Sequence, residues 1–420
     1  MKILIITYYH PQLAGGGGDR PARMAKYLPQ FGHEVRMLAA TYRKRDRQDG
    51  AVFPVYDPSH ARGRRGRHLW RWLVMRAVVE ILNRVGICVS VFSPWKRAAS
   101  RCAEAIVAAW RPDLIIATYP PVETLEIALH LHARTGVPFL ADFRDGLLCE
   151  PIESRRLRRI ACVRRAYAGI ERRAANRAIA LVTVSEPLSN YFREAYGQRF
   201  VTTIANGFDP ADAVADLPAI ELEPGCFHIV HTGRFALSDA GCDIAPLAAA
   251  LRGLLASRPE LALRLRLHLL GDLARRERRL LAPLEGRGLV RVHGAVPRLR
   301  ALAFQRRADL LLLVTAPERG SVATTKLFEY LQARRPVLAL TGRTFAAEIV
   351  ERTRCGWVVS PLSAAAIQTA LERLLANPAR LLEADLAPEA IREYSFPACL
   401  ERLDAVLRSI PDRTAAAPAP

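Results

Sequence analysis

Lys326 and Glu329 lie three residues apart in Thr324-Thr325-Lys326-Leu327-Phe328-Glu329-Tyr330-Leu331, so a short amphipathic helix opened by the small polar residues carries both on one face at its first turn. The unpaired N–H groups of such a first turn attract phosphate. Lys326 adds a mobile positive charge, and Glu329 can accept hydrogen bonds from a sugar diol. A diphosphate next to a ribose is what a nucleotide-sugar presents. An ordinary capped helix after a loop uses the same residue types, so position in the fold must decide between the two.

Other groups invite the same question. Gly15, Gly16, Gly17 and Gly18 follow the first apolar run, with Asp19-Arg20 at the mouth of the next helical pattern. Glycines let backbone approach a ligand closely, though a flexible loop has the same composition. Their spacing is not G-x-G-x-x-G, and no acidic residue closes the second run at Ala39-Ala40-Thr41. Asp142-Phe143-Arg144-Asp145-Gly146 sets two carboxylates and an arginine after another run. Either they serve a cleft, or Arg144 pairs internally with Asp142 or Asp145. Gly233-Arg234, Gly271-Asp272 and Gly294-Ala295-Val296-Pro297 close three further runs, and Arg234 is placed to meet a phosphate. No D-x-D lies between apolar strands, so a metal-clamped diphosphate is not indicated. Positive side chains and helix termini then have to offset the charge of a leaving diphosphate. No G-x-S-x-G, H-E-x-x-H or Walker A pattern is present.

Short apolar runs alternating with helical patterns position these groups. Strands are expected at 2–7, 34–39, 114–117, 138–142, 180–184 and 201–205, with helices at 20–31, 94–110 and 155–177 among those between them. A second series places strands at 227–231, 265–270, 290–293, 310–314, 337–340 and 356–359. Such βαβ alternation implies doubly wound parallel sheets, with ligand clefts at the carboxyl ends of strands. Residues 1–207 form one domain, 208–225 an acidic, Pro-dotted linker and 226–396 a second domain. A helix over 397–412 closes the fold, and 413–420 read as a disordered tail.

The chain has 420 residues, half of them hydrophobic, with a formal net charge of +20. That suits two globular domains, and the charge calls for a hypothesis: nucleic acid, an anionic membrane or a polyanionic substrate, set against an Arg- and Ala-rich base composition that raises the charge without any partner. Nearly all the excess is arginine, because the only lysines are Lys2, Lys26, Lys44, Lys96 and Lys326. In the segment 155–177, Ile160, Val163, Tyr167, Ile170 and Ala174 make an apolar stripe, with Arg155, Arg158, Arg159, Arg165, Arg172, Arg173 and Arg177 largely off it. Such a helix either packs its stripe on the core and solvates its charges, or rests a basic face on anionic lipid. The arginines of 62–71 beside Trp70 and Trp72 add to the second reading without falling on one clean face. The nucleic-acid reading has only the charge behind it, with no motif or aromatic platform. Eight scattered cysteines without a C-x-x-C pair fit a reducing compartment. The first apolar run is too short for a signal peptide, and charges interrupt Leu69–Phe92, so it will not span a bilayer.

Taken together, these residues resemble the family 4 glycosyltransferases of the GT-B fold. The opening Met1-Lys2-Ile3-Leu4-Ile5-Ile6-Thr7-Tyr8-Tyr9-His10-Pro11, the glycines and Gly32-His33-Glu34-Val35 are similar to that family's N-terminal signature. The segments 112–121 and Ala141-Asp142-Phe143-Arg144-Asp145 resemble the branch acting in bacterial surface-polysaccharide synthesis. Lys326-Leu327-Phe328-Glu329-Tyr330-Leu331 resembles its donor-site helix. The resemblance implies two Rossmann-like domains facing across a cleft and retaining, metal-independent transfer from a nucleoside-diphosphate sugar, with no cofactor beyond that co-substrate. It implies Glu329 on the donor ribose, Lys326, Arg234 and Thr325 at the diphosphate, Val296 offering backbone to the base, and Gly15–Gly18 bordering the reacting sugar. Asp145 and Glu318 are the candidate catalytic carboxylates. Ser321 stands where the family often carries a second Glu, and Asp239 where it carries a Lys. The expected acceptor is a lipid-linked saccharide on the inner face of the cell membrane, reached by a cytoplasmic enzyme whose basic first half meets anionic lipid. A soluble acceptor is the alternative, and no nucleic acid is expected.

Overall fold

The computed structural model describes residues 1–10, 16–42, 50–57, 67–150, 160–197, 200–213, 216–239, 241–378 and 386–410. The chain divides into two compact units. The first holds Met1–Ala205 and the chain from Cys399 onward, and the second holds Asn206–Ala398.

The first unit is built on a parallel sheet of seven strands: β1 (Lys2–Ile6), β2 (Glu34–Thr41), β3 (Val52–Tyr56), β4 (Leu114–Tyr119), β5 (Phe139–Phe143), β6 (Ala180–Thr183) and β7 (Val201–Thr203). Their order is β3-β2-β1-β4-β5-β6-β7. Ile3, Leu4, Ile5 and Ile6 are all fully buried, as a central strand covered on both faces must be. The helix Ser93–Trp110 shows why it packs as it does. Trp95, Ala99, Ala103, Ile106 and Trp110 recur at helical spacing and are all buried. Gly136, at φ 72°, ends the helix Glu123–Thr135 in the left-handed conformation that glycine adopts without penalty.

Two elements here go beyond the sequence reading. β3 carries Pro54 and sits at the sheet edge, where a missing N–H is tolerated. The helix Arg67–Arg84 has apolar residues on its exposed side, so no polar face marks its period. A third difference concerns the glycine run. From Gly16 on it forms the first turn of the helix Gly16–Tyr27 rather than a loop before it.

The second unit repeats the plan with β8 (Phe227–Thr232), β9 (Leu265–Leu270), β10 (Val290–Gly294), β11 (Leu310–Val314), β12 (Val337–Leu340) and β13 (Gly356–Val359), all parallel, in the order β10-β9-β8-β11-β12-β13. The segment read as a linker is seated on this unit. Phe208 bridges to Ser395, Asp209 O accepts from Gln332, and Asp212 pairs with Arg298. The helix Phe396–Ser409 belongs to the first unit from Cys399 onward, and there Asp404 meets His33 at 2.7 Å. Three imidazoles step across one face of the second sheet. His228 Nε2 lies 2.9 Å from Glu223 O, His228 Nδ1 lies 3.0 Å from His268 Nε2, and His268 Nδ1 lies 3.0 Å from His293 Nε2.

Candidate donor site

β8 and β11 are hydrogen-bonded neighbours, with β9 and β10 on one side and β12 and β13 on the other. Chain connections leave such a pair in opposite directions, opening a crevice at their carboxyl ends. β8 runs there into Gly233-Arg234, and Gly233 takes φ 96°, which favours glycine. β11 runs through residues 315–324 into the helix Thr325–Ala333. Tyr330, fully buried, fixes that helix on the strand ends. Its hydroxyl accepts from Thr232 N at 3.0 Å and donates to Leu312 O at 3.2 Å.

Lys326 lies in the first turn of this helix. Its Nζ donates to Arg234 O at 3.4 Å, and a Cβ on Gly233 would stand 3.3 Å from the same nitrogen. Burial pulls the pKa of Lys326 from 10.5 to about 8. Beneath it, fully buried His231 has Nδ1 on Leu312 O at 2.9 Å, while its Nε2 is buried with no partner. Burial, and then the charge of Lys326, hold His231 well below its ordinary range. Thr324 has the extended backbone of an N-cap, yet its hydroxyl makes no cap bond and its Oγ1 is buried without a partner. The helix mouth thus presents N–H groups that its own cap leaves uncovered.

Glu329 sits one turn on, mostly buried. Its Oε2 accepts from Gln305 Nε2 at 3.2 Å, and its Oε1 lies 3.4 Å from Arg298 Nε. Fully buried Gln305 also donates to Thr232 Oγ1 at 3.0 Å. Arg298 reaches Asp212 at 2.8 Å as well. Gln305 and Arg298 were not singled out in the sequence, where each is one polar residue in the arginine-rich helix Arg298–Arg307. His231 and Tyr330 were read only as strand-end and helix residues.

A second cluster surrounds Cys242. Burial and nearby Asp239 push this thiol up to about 11, and Lys326, Glu318 and Arg319 also act on it. Glu318 is exposed, with its carboxylate against Gly241. Arg319 pairs with Asp239 at 2.9 Å, and Ser321 is buried. The two departures from the family pattern therefore lie in one stretch of structure, where an arginine answers the acid at Asp239. Arg234 approaches Asp272 at 3.8 Å with both side chains well exposed, and Val296 lies partly buried after β10.

In the first unit, Gly15 lies outside the described residues. Gly17 packs under the Tyr9 ring, 2.9 Å from where a Cβ would stand, so only glycine fits without movement. Gly18 follows in the same helical turn, after Gly16. Of the two readings left open for Asp142 and Arg144, an internal pair forms with a different partner. Asp142 is bound by Arg20 Nε at 3.0 Å and NH2 at 2.9 Å, both residues fully or nearly fully buried. Arg20 also donates to the carbonyls of Ile204 and Ala205. Arg144 donates to the carbonyls of Tyr119, Pro120 and Gly17, and lies over the Tyr9 ring at 5.3 Å. Asp145 is partly buried beside it and stabilises its charge.

Residues 15–207 match a family described as Glycosyl transferase 4-like domain, and residues 227–377 match Glycosyl transferases group 1. No curated protein sequence matches the chain. Among solved structures, a sucrose-phosphate synthase from Thermosynechococcus elongatus is 18% identical, with TM-score 0.68, over 97% of this chain and 98% of that one. HepE from Anabaena, in complex with UDP, is 17% identical, with TM-score 0.59, over 97% and 100%. An alpha,alpha-trehalose-phosphate synthase (UDP-forming) from Burkholderia vietnamiensis is 15% identical, with TM-score 0.63, over 97% and 99%. At these identities the likeness is one of fold.

Proposed function

We propose that this chain, a glycosyltransferase of the GT-B fold, moves a sugar from a nucleoside-diphosphate donor to a lipid-linked saccharide in cell-surface polysaccharide synthesis. The observation that carries the donor half is the placing of half-buried Lys326 and mostly buried Glu329 on one helix whose mouth is uncapped, at the switch point of the second sheet. HepE has been solved with UDP and with UDP-glucose, which supports a nucleotide-sugar donor here.

In this reading the N–H groups around Thr325, the ammonium of Lys326 and the guanidinium of Arg234 hold the diphosphate. Their fixed positive ends stabilise the charge that grows on it as the sugar leaves. Glu329, oriented by Gln305, accepts from the ribose diol, and Val296 offers backbone to the base. Gly15, Gly16, Gly17 and Gly18 border the sugar, and Asp145 and Glu318 are the carboxylates we assign to the reacting centre. The bond from the sugar's anomeric carbon to the diphosphate oxygen breaks, and a bond to the acceptor oxygen forms on the same face. The acceptor's proton passes to the diphosphate. No metal takes part in this scheme.

The acceptor half rests on the charge of the first unit, whose helix Ala161–Arg177 exposes Arg164, Arg165, Arg172, Arg173 and Arg177. We place the protein in the cytoplasm, peripheral to the membrane. No helix among the described residues is long and apolar enough to cross one. A soluble acceptor is the second reading, kept because two sugar-phosphate synthases share the fold.

The deciding experiment offers a panel of nucleotide-sugars with polyprenyl-diphosphate-linked and free saccharides. Transfer to the lipid-linked acceptor is expected, and the matching donor should raise the melting temperature. Glu329→Ala should weaken donor binding by about 1–3 kcal/mol. Absence of both transfer and nucleoside-diphosphate binding would overturn the proposal.

A further inference from the structure

The helix Arg67–Arg84 presents its apolar side outward. Trp70 is 69% exposed and Ile81 60%, with Leu73, Val74 and Val78 exposed between them. The intervals from 70 to 73–74, 78 and 81 are those of one helix face. Beyond the helix the stripe continues through Val85, 68% exposed, and exposed Ile87. The opposite side is anchored. Val79 and Asn83 are buried, Asn83 exchanges hydrogen bonds with Val89 at 2.9 and 3.0 Å, and Asn83 O accepts from Cys162 Sγ at 3.0 Å. The helix is therefore held in place with its stripe in water. Single exposed apolar residues are ordinary, but a contiguous row of five on one helix marks an interaction surface.

The surroundings select the partner. The bond from Cys162 brings the first turn of Ala161–Arg177, with exposed Arg164 and Arg165, to the end of the stripe, beside exposed Arg84. The one acid on the helix, Glu80, is paired with Arg84. A second copy of this chain would bring arginine against arginine. An anionic bilayer instead offers hydrocarbon to the stripe, headgroup charge to the guanidiniums and an interfacial seat for Trp70.

We propose that Arg67–Arg84 is an in-plane membrane helix, about 27 Å long, whose Trp70–Ile81 stripe enters the headgroup boundary of anionic lipid while the flanking arginines meet phosphate. This deepens the lipid-linked reading of the acceptor and rests on it for its purpose. The basic helix alone gives attraction, whereas the stripe gives insertion, so binding survives salt in part.

The test floats the full chain with vesicles of phosphatidylcholine alone or with about 30% phosphatidylglycerol. Wild type should float with the anionic vesicles and keep a salt-resistant fraction. Val78→Glu with Ile81→Glu, both on the exposed face, should lower partitioning at least tenfold without lowering the melting temperature. Arg164→Glu with Arg165→Glu should remove the preference for anionic lipid. Brominated lipid chains should quench wild type more than Trp70→Phe. Equal flotation of the Val78/Ile81 variant, or a dimer that this variant dissolves in the absence of vesicle binding, would overturn the inference. Nucleoside-diphosphate binding is measured on the same samples. Its loss with flotation intact would fell the proposed function and leave the membrane helix standing, and the reverse result would do the opposite.

Discussion

If Lys326 holds the diphosphate, as proposed, nucleoside-diphosphate binding depends on pH in a window where the ligand's phosphates do not titrate. Its Nζ lies beside Gly233 and Arg234 O, and burial has brought its pKa from 10.5 to about 8 in the ligand-free protein. Below that value the lysine is charged and ready for a diphosphate. Above it the lysine is neutral, and binding must take up a proton, so affinity falls as pH rises. Between about pH 7 and about pH 9 the protonated share drops from about nine tenths to about one tenth. The dissociation constant should therefore rise about tenfold, or about 1.4 kcal/mol. Phosphate groups of this type lose their last proton near pH 6, outside the window. Isothermal titration with a nucleoside diphosphate measures the curve. Lys326→Arg keeps its charge throughout, so its curve should be flat and reports any titration of the base. A flat wild-type curve, or the same slope in both proteins, would refute the reasoning.

Two further outcomes test the scaffold around each unit's strand ends. Gln305→Leu removes the amide that orients Glu329, so the donor KM should rise severalfold with kcat less affected, and Gln305→Glu should not rescue it; a lowered melting temperature with unchanged KM would reduce Gln305 to a core residue. Arg20→Ala leaves Asp142 buried without its partner and should destabilise the first unit by about 3–5 kcal/mol in urea unfolding, and a change below about 1 kcal/mol would contradict a structural role for the pair.

The alternation of apolar runs was enough to find twelve of the strands, because strands covered on both faces read as short continuous hydrophobic runs. β3 escaped because Pro54 interrupts it and an edge strand needs no full apolar pattern. Arg67–Arg84 escaped because periodicity locates a helix by its polar face, and this one shows apolar residues to solvent. In the site, Lys326 and Glu329 were legible through local spacing alone. Gln305 was not, since its meeting with Thr232 and Glu329 is made by sheet order and by no nearby residue. Asp142 and Arg144 show the same limit from the other side. Adjacent residues suggested adjacent partners, yet Arg20, distant in sequence, takes the carboxylate.

The row of imidazoles in the second sheet has a direction. Glu223 O can only accept, so His228 must carry its hydrogen on Nε2 and offer a lone pair at Nδ1. His268 then donates from Nε2 to that lone pair, and His293 donates in turn to His268. One backbone carbonyl thus dictates the tautomer of three rings on three strands. Burial holds His268 down at about 3 and His293 below its usual range. Every hydrogen in the row points back toward Glu223. The row ends at the far nitrogen of His293, near the carboxyl end of β10, on the margin where the proposed function puts the nucleotide base.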